Sequence, residues 1–278
     1  MNRNVTTAAL ALGFVLGACR DRAGSTPSTS GPVPPTGPGP TPPPTVDASA
    51  TPAPDAAAPA LDAATPPPPP DATPLAVVDA PIAWPPARDA GMLEYRRIHN
   101  DPAATDTTIA PRMIVLHYTA GSSAAGTRRY FDNLHLERGR AQLRTGGDVN
   151  VSAHYLVDRD GTIDTLMPED RMARHAIGVN HIAIGIENVG DEQDYPLTDA
   201  QVAADAALIR DIRSRWPIEL LVGHHEVRSL EGTPWFVERD PKYRNRKGDP
   251  GPRFLAKVRA AVADLNLAGP PALPPRTR

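Results

Sequence analysis

Two histidines and an aspartate stand far apart in this 278-residue chain: His117 in MIVLHYTA, His224 in LVGHHE and Asp249 in RKGDPG. Two imidazoles and one carboxylate are a usual protein ligand set for a catalytic zinc, which keeps its fourth position for water. A structural zinc closes all four positions, usually with thiolates. The only cysteine here is Cys19, so that kind of site is excluded. The chemistry open to such a trio is metal-assisted hydrolysis. Each residue also has a plainer reading. His117 ends an apolar run and could be a core histidine. Asp249 precedes Pro250-Gly251 and could be a turn residue. His225 rivals His224, and since successive strand residues face opposite ways, only one of the two should reach a shared point.

The elements that must position these groups can be read from periodicity. Met113 to His117 is a short apolar run, expected as a buried strand with His117 at its end. Ala124 to about Leu136 has helical spacing. Ala153–Val157 and Thr162–Leu166 flank Asp158-Arg159-Asp160-Gly161, a hairpin signal. Ile182 to Val189 alternates as a strand. Thr198 and Gln201 form a capping box that starts a helix through Arg215, which Pro217 stops. Glu219 to Val222 is another apolar strand, with His224 just beyond it. Pro252 opens a last helix that Gly269-Pro270 ends. Strands and helices alternate around one hairpin. The expected class is therefore α/β: a single domain with a mixed central β-sheet flanked by helices. His117 and His224 fall at strand ends, where open sheets tend to place ligands.

The rest of the chain bounds the setting. Most of the 34 prolines lie in the first ninety residues. The remaining about 175 residues are enough to bury about 70% of their unfolded surface, one solid core. A net charge of −3, with no clustered basic face, argues against nucleic acid as a partner. Residues 1–18 read as a signal peptide with a short h-region, ending in Leu16-Gly17-Ala18-Cys19. This resembles a bacterial lipobox, with Cys19 as the lipidated first residue and membrane anchor. Residues 19–90 are expected as a disordered Pro-, Ala- and Thr-rich linker that cannot bury enough apolar surface to fold, and 269–278 as a disordered tail. The folded domain is placed at 91–268. Nothing in the sequence suggests a dimer, so a monomer is expected.

Five motifs in order narrow the chemistry. IVLHYTA, VSAHYLVDRDGTI, IGIEN, VGHHE and KGDPGP resemble those of the type 2 zinc N-acetylmuramoyl-L-alanine amidases, relatives of the animal peptidoglycan-recognition proteins. The match runs from about Met113 to Val258. The resemblance implies zinc held by His117, His224 and Asp249, with catalytic roles for Glu187 and Lys247. It places His154 and His175 along the substrate site. It also implies peptidoglycan or a muropeptide as substrate and cleavage of the amide between the muramic acid lactyl group and L-alanine. The expected location is the cell envelope, facing the periplasm. Arg20, rather than an aspartate, follows Cys19, which points to the outer membrane in a Gram-negative host. A peptidoglycan-binding module without catalysis is the alternative within the same family. Two departures stand out. Arg174 precedes His175 where relatives often carry tryptophan. The stretch EVRSLEGTPWFVERDPKYRNRK separates His224 from Asp249, and its Trp235, Phe236 and Tyr243 suit either a cleft wall or a surface excursion packed by its own aromatics.

Overall fold

The computed structural model describes residue 75 and residues 77–271. The signal peptide, Cys19, most of the expected linker and residues 272–278 lie outside the described residues. Six strands form one mixed sheet: β1 (Val77–Asp79), β2 (Met113–Tyr118), β3 (Tyr155–Val157), β4 (Ile163–Thr165), β5 (Ala183–Asn188) and β6 (Leu220–Gly223), in the order β1-β4-β3-β5-β2-β6. All neighbours are parallel except β3 and β4, the expected hairpin. The helices are α1 (Pro86–His99), α2 (Ala124–Asp132), α3 (Ala141–Arg144), α4 (Asp199–Arg215) and α5 (Pro252–Ala261). No helix among the described residues is long and apolar enough to cross a membrane.

The linker boundary needs correction. The expected disordered stretch to residue 90 contains β1, parallel to β4, and the start of α1. Pro86 opens that helix, where a missing N–H costs nothing. Arg88, Met92, Tyr95 and His99 then form a buried stripe at helical spacing. Two other helices are shorter than expected. α2 stops at Asp132, and α5 at Ala261, followed by a 3-10 turn that ends on Asn266 in a left-handed conformation. The Thr198–Gln201 capping box at α4 is present in full.

Residue parity along β5, β2 and the edge strand β6 sorts the two faces of the sheet. Ile114 and Leu116 of β2 and Ile184 and Ile186 of β5 pack with Leu208, Ile209 and Ile212 of α4 and Leu255 and Val258 of α5. Met113, Val115, Ala183, Leu220 and Val222 pack on the other face with Val227, Leu230, Trp235 and Phe236. Side chains alternate in a strand, so the next members of that second set are His117, Glu187 and His224. All three fall at the carboxyl ends of parallel neighbours, on the face that α4 and α5 leave open.

Candidate metal centre

His117 lies directly opposite Glu187 in the β2–β5 register. His224 follows β6 as the first residue of a 3-10 turn, His224–Leu230. Asp249 arrives on the loop before α5. Ligand atoms of His117, His224 and Asp249 lie within 4.8 Å of one another, and all three residues are buried. The His117 and His224 Nδ1 atoms are 2.9 Å apart, and the Asp249 Oδ2 lies 3.2 and 3.0 Å from them.

The tautomer of His117 follows from its neighbours. The Ala183 carbonyl can only accept, so the His175 Nε2–H donates to it at 3.3 Å. The His175 Nδ1 is then an acceptor, and His117 Nε2–H donates to it at 3.0 Å. His117 therefore presents a lone pair at Nδ1, toward His224 and Asp249. Burial, then the neighbouring His224, push the His117 value down to about 4, against the pull of Asp249, so its ring is neutral. Burial would raise the Asp249 carboxyl, but the neighbouring His224 holds it well below the usual range. A neutral imidazole lone pair and an ionised carboxylate aimed at one point with a second imidazole make an electron-rich cluster that a cation relieves. Ligand separations of about 3.3 Å are expected around a tetrahedral ion with bonds near 2.0–2.1 Å, close to those seen. The donor set fits a zinc ion.

His225 does not compete for that point. The Asp249 carbonyl accepts from its backbone N–H at 2.9 Å and from its ring Nδ1–H at 3.1 Å. His225 thus props the backbone that carries the aspartate.

Glu187 and Lys247 line the same cleft as the trio. Burial, then the charge of Asp249, push the Glu187 carboxyl up to about 8, while Lys247 and Arg140 pull the other way. Its Oε2 is buried without a hydrogen-bond partner. A carboxyl so placed holds a proton near neutral pH and has nothing else to do with it, the setting of a general acid or base.

Of the two remaining histidines, His154 departs from the sequence expectation and His175 lies along the cleft. His154 is fully buried and does not border the cleft. Its Nδ1 accepts from the Gly185 N–H at 3.0 Å and its Nε2–H donates to the Arg171 carbonyl at 2.9 Å. Burial pushes it down to about 4. It is a neutral brace between β5 and the Arg171 loop, not a substrate contact. His175 borders the cleft, but both ring nitrogens are engaged by His117 and Ala183, so it serves as the acceptor that orients His117. Gly185 makes this possible, since a Cβ there would lie 2.8 Å from the His175 ring.

The long segment before Asp249 divides the two roles offered for it. Trp235 packs on the Met113–Val115 face with the Arg112 guanidinium 4.7 Å over its ring, and it is not a cleft residue. Tyr243 and Asn245 do line the cleft. Arg174, in the tryptophan position, is buried beneath them and donates to the Tyr243 hydroxyl at 2.8 Å and to the Leu143 carbonyl at 2.6 Å. The sequence had signalled neither Tyr95, which also lines the cleft from α1, nor the clamp by Arg174.

Comparison with known proteins agrees with the site. A family model described as N-acetylmuramoyl-L-alanine amidase matches residues 107–252, just over half of the chain. The endolysin of Escherichia phage T7 is 33% identical over 86 residues, covering 29% of this chain and 57% of the phage protein. The 1,6-anhydro-N-acetylmuramyl-L-alanine amidase AmpD of Salmonella typhimurium LT2 is 35% identical over 127 residues, 41% of this chain and 59% of that protein. The chain thus spans little more than half the length of the curated relatives it matches. Among solved structures, the N-acetylmuramoyl-L-alanine amidase LysC from Clostridium intestinale URNW aligns with 22% identity and a TM-score of 0.45, covering 69% of this chain and 98% of LysC. On the family match over residues 107–252, this chain belongs to the N-acetylmuramoyl-L-alanine amidase family.

Proposed function

We propose that this chain is a zinc-dependent N-acetylmuramoyl-L-alanine amidase. It hydrolyses the amide between the lactyl group of muramic acid and the L-alanine of the peptidoglycan stem peptide. The observation that carries this reading is the convergence of His117, His224 and Asp249 in one cleft with the Glu187 carboxyl and the Lys247 ammonium. A zinc ion held by the trio would lower the pKa of water to near 7 and polarise the scissile carbonyl. The protein's own groups supply the rest. Glu187, opposite His117 on the sheet, takes the proton of the attacking water and returns it to the leaving amine. Beside a divalent charge its carboxyl ionises more readily than its value of about 8 suggests. Lys247 offers a positive charge to the oxyanion that forms on the carbonyl. His175 keeps His117 in the tautomer that faces the ion. The lipobox pattern at Cys19 extends the reading to an enzyme anchored in the cell envelope on the periplasmic side, within reach of its substrate.

The test is digestion of purified sacculi by the full-length chain, with and without a chelator and with zinc restored. Stem peptides with a free amino-terminal L-alanine should appear only in the metal-loaded samples. Retention on sacculi without release of such peptides would replace the amidase with a binding module.

A further inference from the structure

A buried histidine outside the metal centre is held in a way that demands two protons. His99, the last residue of α1, has a fully buried ring. Its Nδ1 lies 2.8 Å from the Glu238 Oε1, and its Nε2 lies 2.8 Å from the Gly146 carbonyl oxygen. Both neighbours are acceptors. The Glu238 Oε1 already accepts from the Asp240 N–H at 2.9 Å, so it is poised to take a second hydrogen from the ring. The other carboxylate oxygen of Glu238 is buried without a partner. A carboxylate in that state wants a compensating cation, since an unmatched buried charge is costly. The ring is flanked by the phenol rings of Tyr95 and Tyr243, with centroids at 4.3 and 4.5 Å. Their faces attract a cation. Behind those rings is Arg174, 4.6 Å over Tyr95 and 2.8 Å from the Tyr243 hydroxyl. Its charge opposes a second cation, and Glu238 is the one carboxylate described at the ring.

The pair sits where the long segment meets the rest of the molecule. The Arg239 N–H donates to the His99 carbonyl at 3.0 Å, and Asn100 Nδ2 donates to the Val237 carbonyl at 2.7 Å. The same segment then supplies Tyr243, Asn245 and Lys247 to the cleft. Gly146 admits this packing: a Cβ there would stand 2.4 Å from the Tyr243 ring. One ring therefore ties α1, the Gly146 loop and the long segment together.

We propose that His99 and Glu238 are positioning residues of the cleft: a doubly protonated imidazole paired with a buried carboxylate holds the 231–246 segment so that Tyr243 and Asn245 form the substrate wall. Removing either partner cuts the tie between α1, the Gly146 carbonyl and the segment. The kinetic arm of the test rests on the amidase reading, and the two spectroscopic arms do not.

The full-length, zinc-loaded chain labelled with ¹⁵N at histidine is examined by NMR, with His99→Gln to assign the ring. Both His99 nitrogens should carry hydrogen at neutral pH. In Glu238→Gln, hydrogen exchange of the 231–246 amides should quicken. The KM for a soluble muropeptide should rise roughly tenfold, with kcat and zinc content little changed, as expected when uniform binding is lost. A wild-type ring with one bare nitrogen at neutral pH overturns the proposal. That arm needs no variant to fold. Segment exchange unchanged in Glu238→Gln overturns it too. An unchanged KM in Glu238→Gln removes the positioning role. Wild-type inactivity with the NMR signature intact counts against the amidase reading alone.

Discussion

His117, Glu187 and His224 leave the ends of adjacent parallel strands, whereas Lys247 and Asp249 arrive on a loop, Asp249 standing 25 positions after its partner His224. The first group is placed by sheet register and by the alternation of side chains, so its geometry comes with the core. The second is placed by specific polar contacts: His225 on the Asp249 carbonyl, Arg174 on Tyr243, Glu238 on His99. Backbone ladders set a strand end to within a hydrogen-bond length. A loop reaches the same precision only if buried groups fix it at several points. Glu187 and two of the three ligands therefore sit on the strand half, while the third ligand, Lys247 and the cleft-wall residues Tyr243 and Asn245 sit on the loop half.

That contrast can be broken by one substitution on each side. Glu187→Gln keeps the shape of the strand end and removes the proton carrier. The expected loss is about 10²–10⁴ in kcat with metal content unchanged, read by turnover of a soluble muropeptide beside metal analysis. Lys247→Met on the loop removes one oxyanion partner, worth about 10²–10³. A larger loss in the lysine variant would reverse the ranking of the two halves.

His175→Phe sharpens the comparison inside the strand-borne half. The ring still fills the space over Gly185, but His117 loses the acceptor that fixes its tautomer. Groups of this kind are worth about 10–100-fold in metal affinity. A titration of the metal-free protein with zinc should show that weakening. Unchanged affinity would mean that the cluster itself, through Asp249 and His224, suffices to orient His117.

The same contrast explains what could be read before the structure. The apolar runs before His117 and His224 and the alternation in IAIGIENV already read as strands, with both histidines at strand ends and Glu187 within its strand. The Asp-Gly hairpin and the Thr198–Gln201 cap are local signals, and they are found where they were expected. What stayed hidden depends on contacts far apart in sequence. α1 was hidden by the prolines before it, although Met92, Tyr95 and His99 are spaced as one helical face. The family resemblance places His154 along the site, yet its ring turns to two backbone groups 31 and 17 positions away. His154 stands just before β3, where strand alternation does not fix which way its ring turns.

The smallest effect concerns a group beneath the site. Asp205 of α4 is fully buried, and burial pushes its carboxyl up to about 8, opposed by the hydrogen bond from Asn188 Nδ2 at 3.1 Å. Asn188 in turn donates to the His117 carbonyl at 3.4 Å, so the acid underlies β2 and β5. The folded protein holds this proton more tightly than the unfolded chain, whose carboxyl has a value near 4. The stabilising contribution is therefore complete below about pH 4 and is lost as pH rises toward 8, because the unfolded state releases the proton first. Asp205→Asn removes the titration and keeps the shape. The melting temperature of Asp205→Asn should fall less between pH 4 and 8 than that of the wild type, and should match or exceed it at pH 8. Glu187 has the same sign of shift but is present in both proteins, so it cancels in the difference. Parallel curves would show that Asp205 is ionised in the folded state throughout, matched by a group other than Asn188.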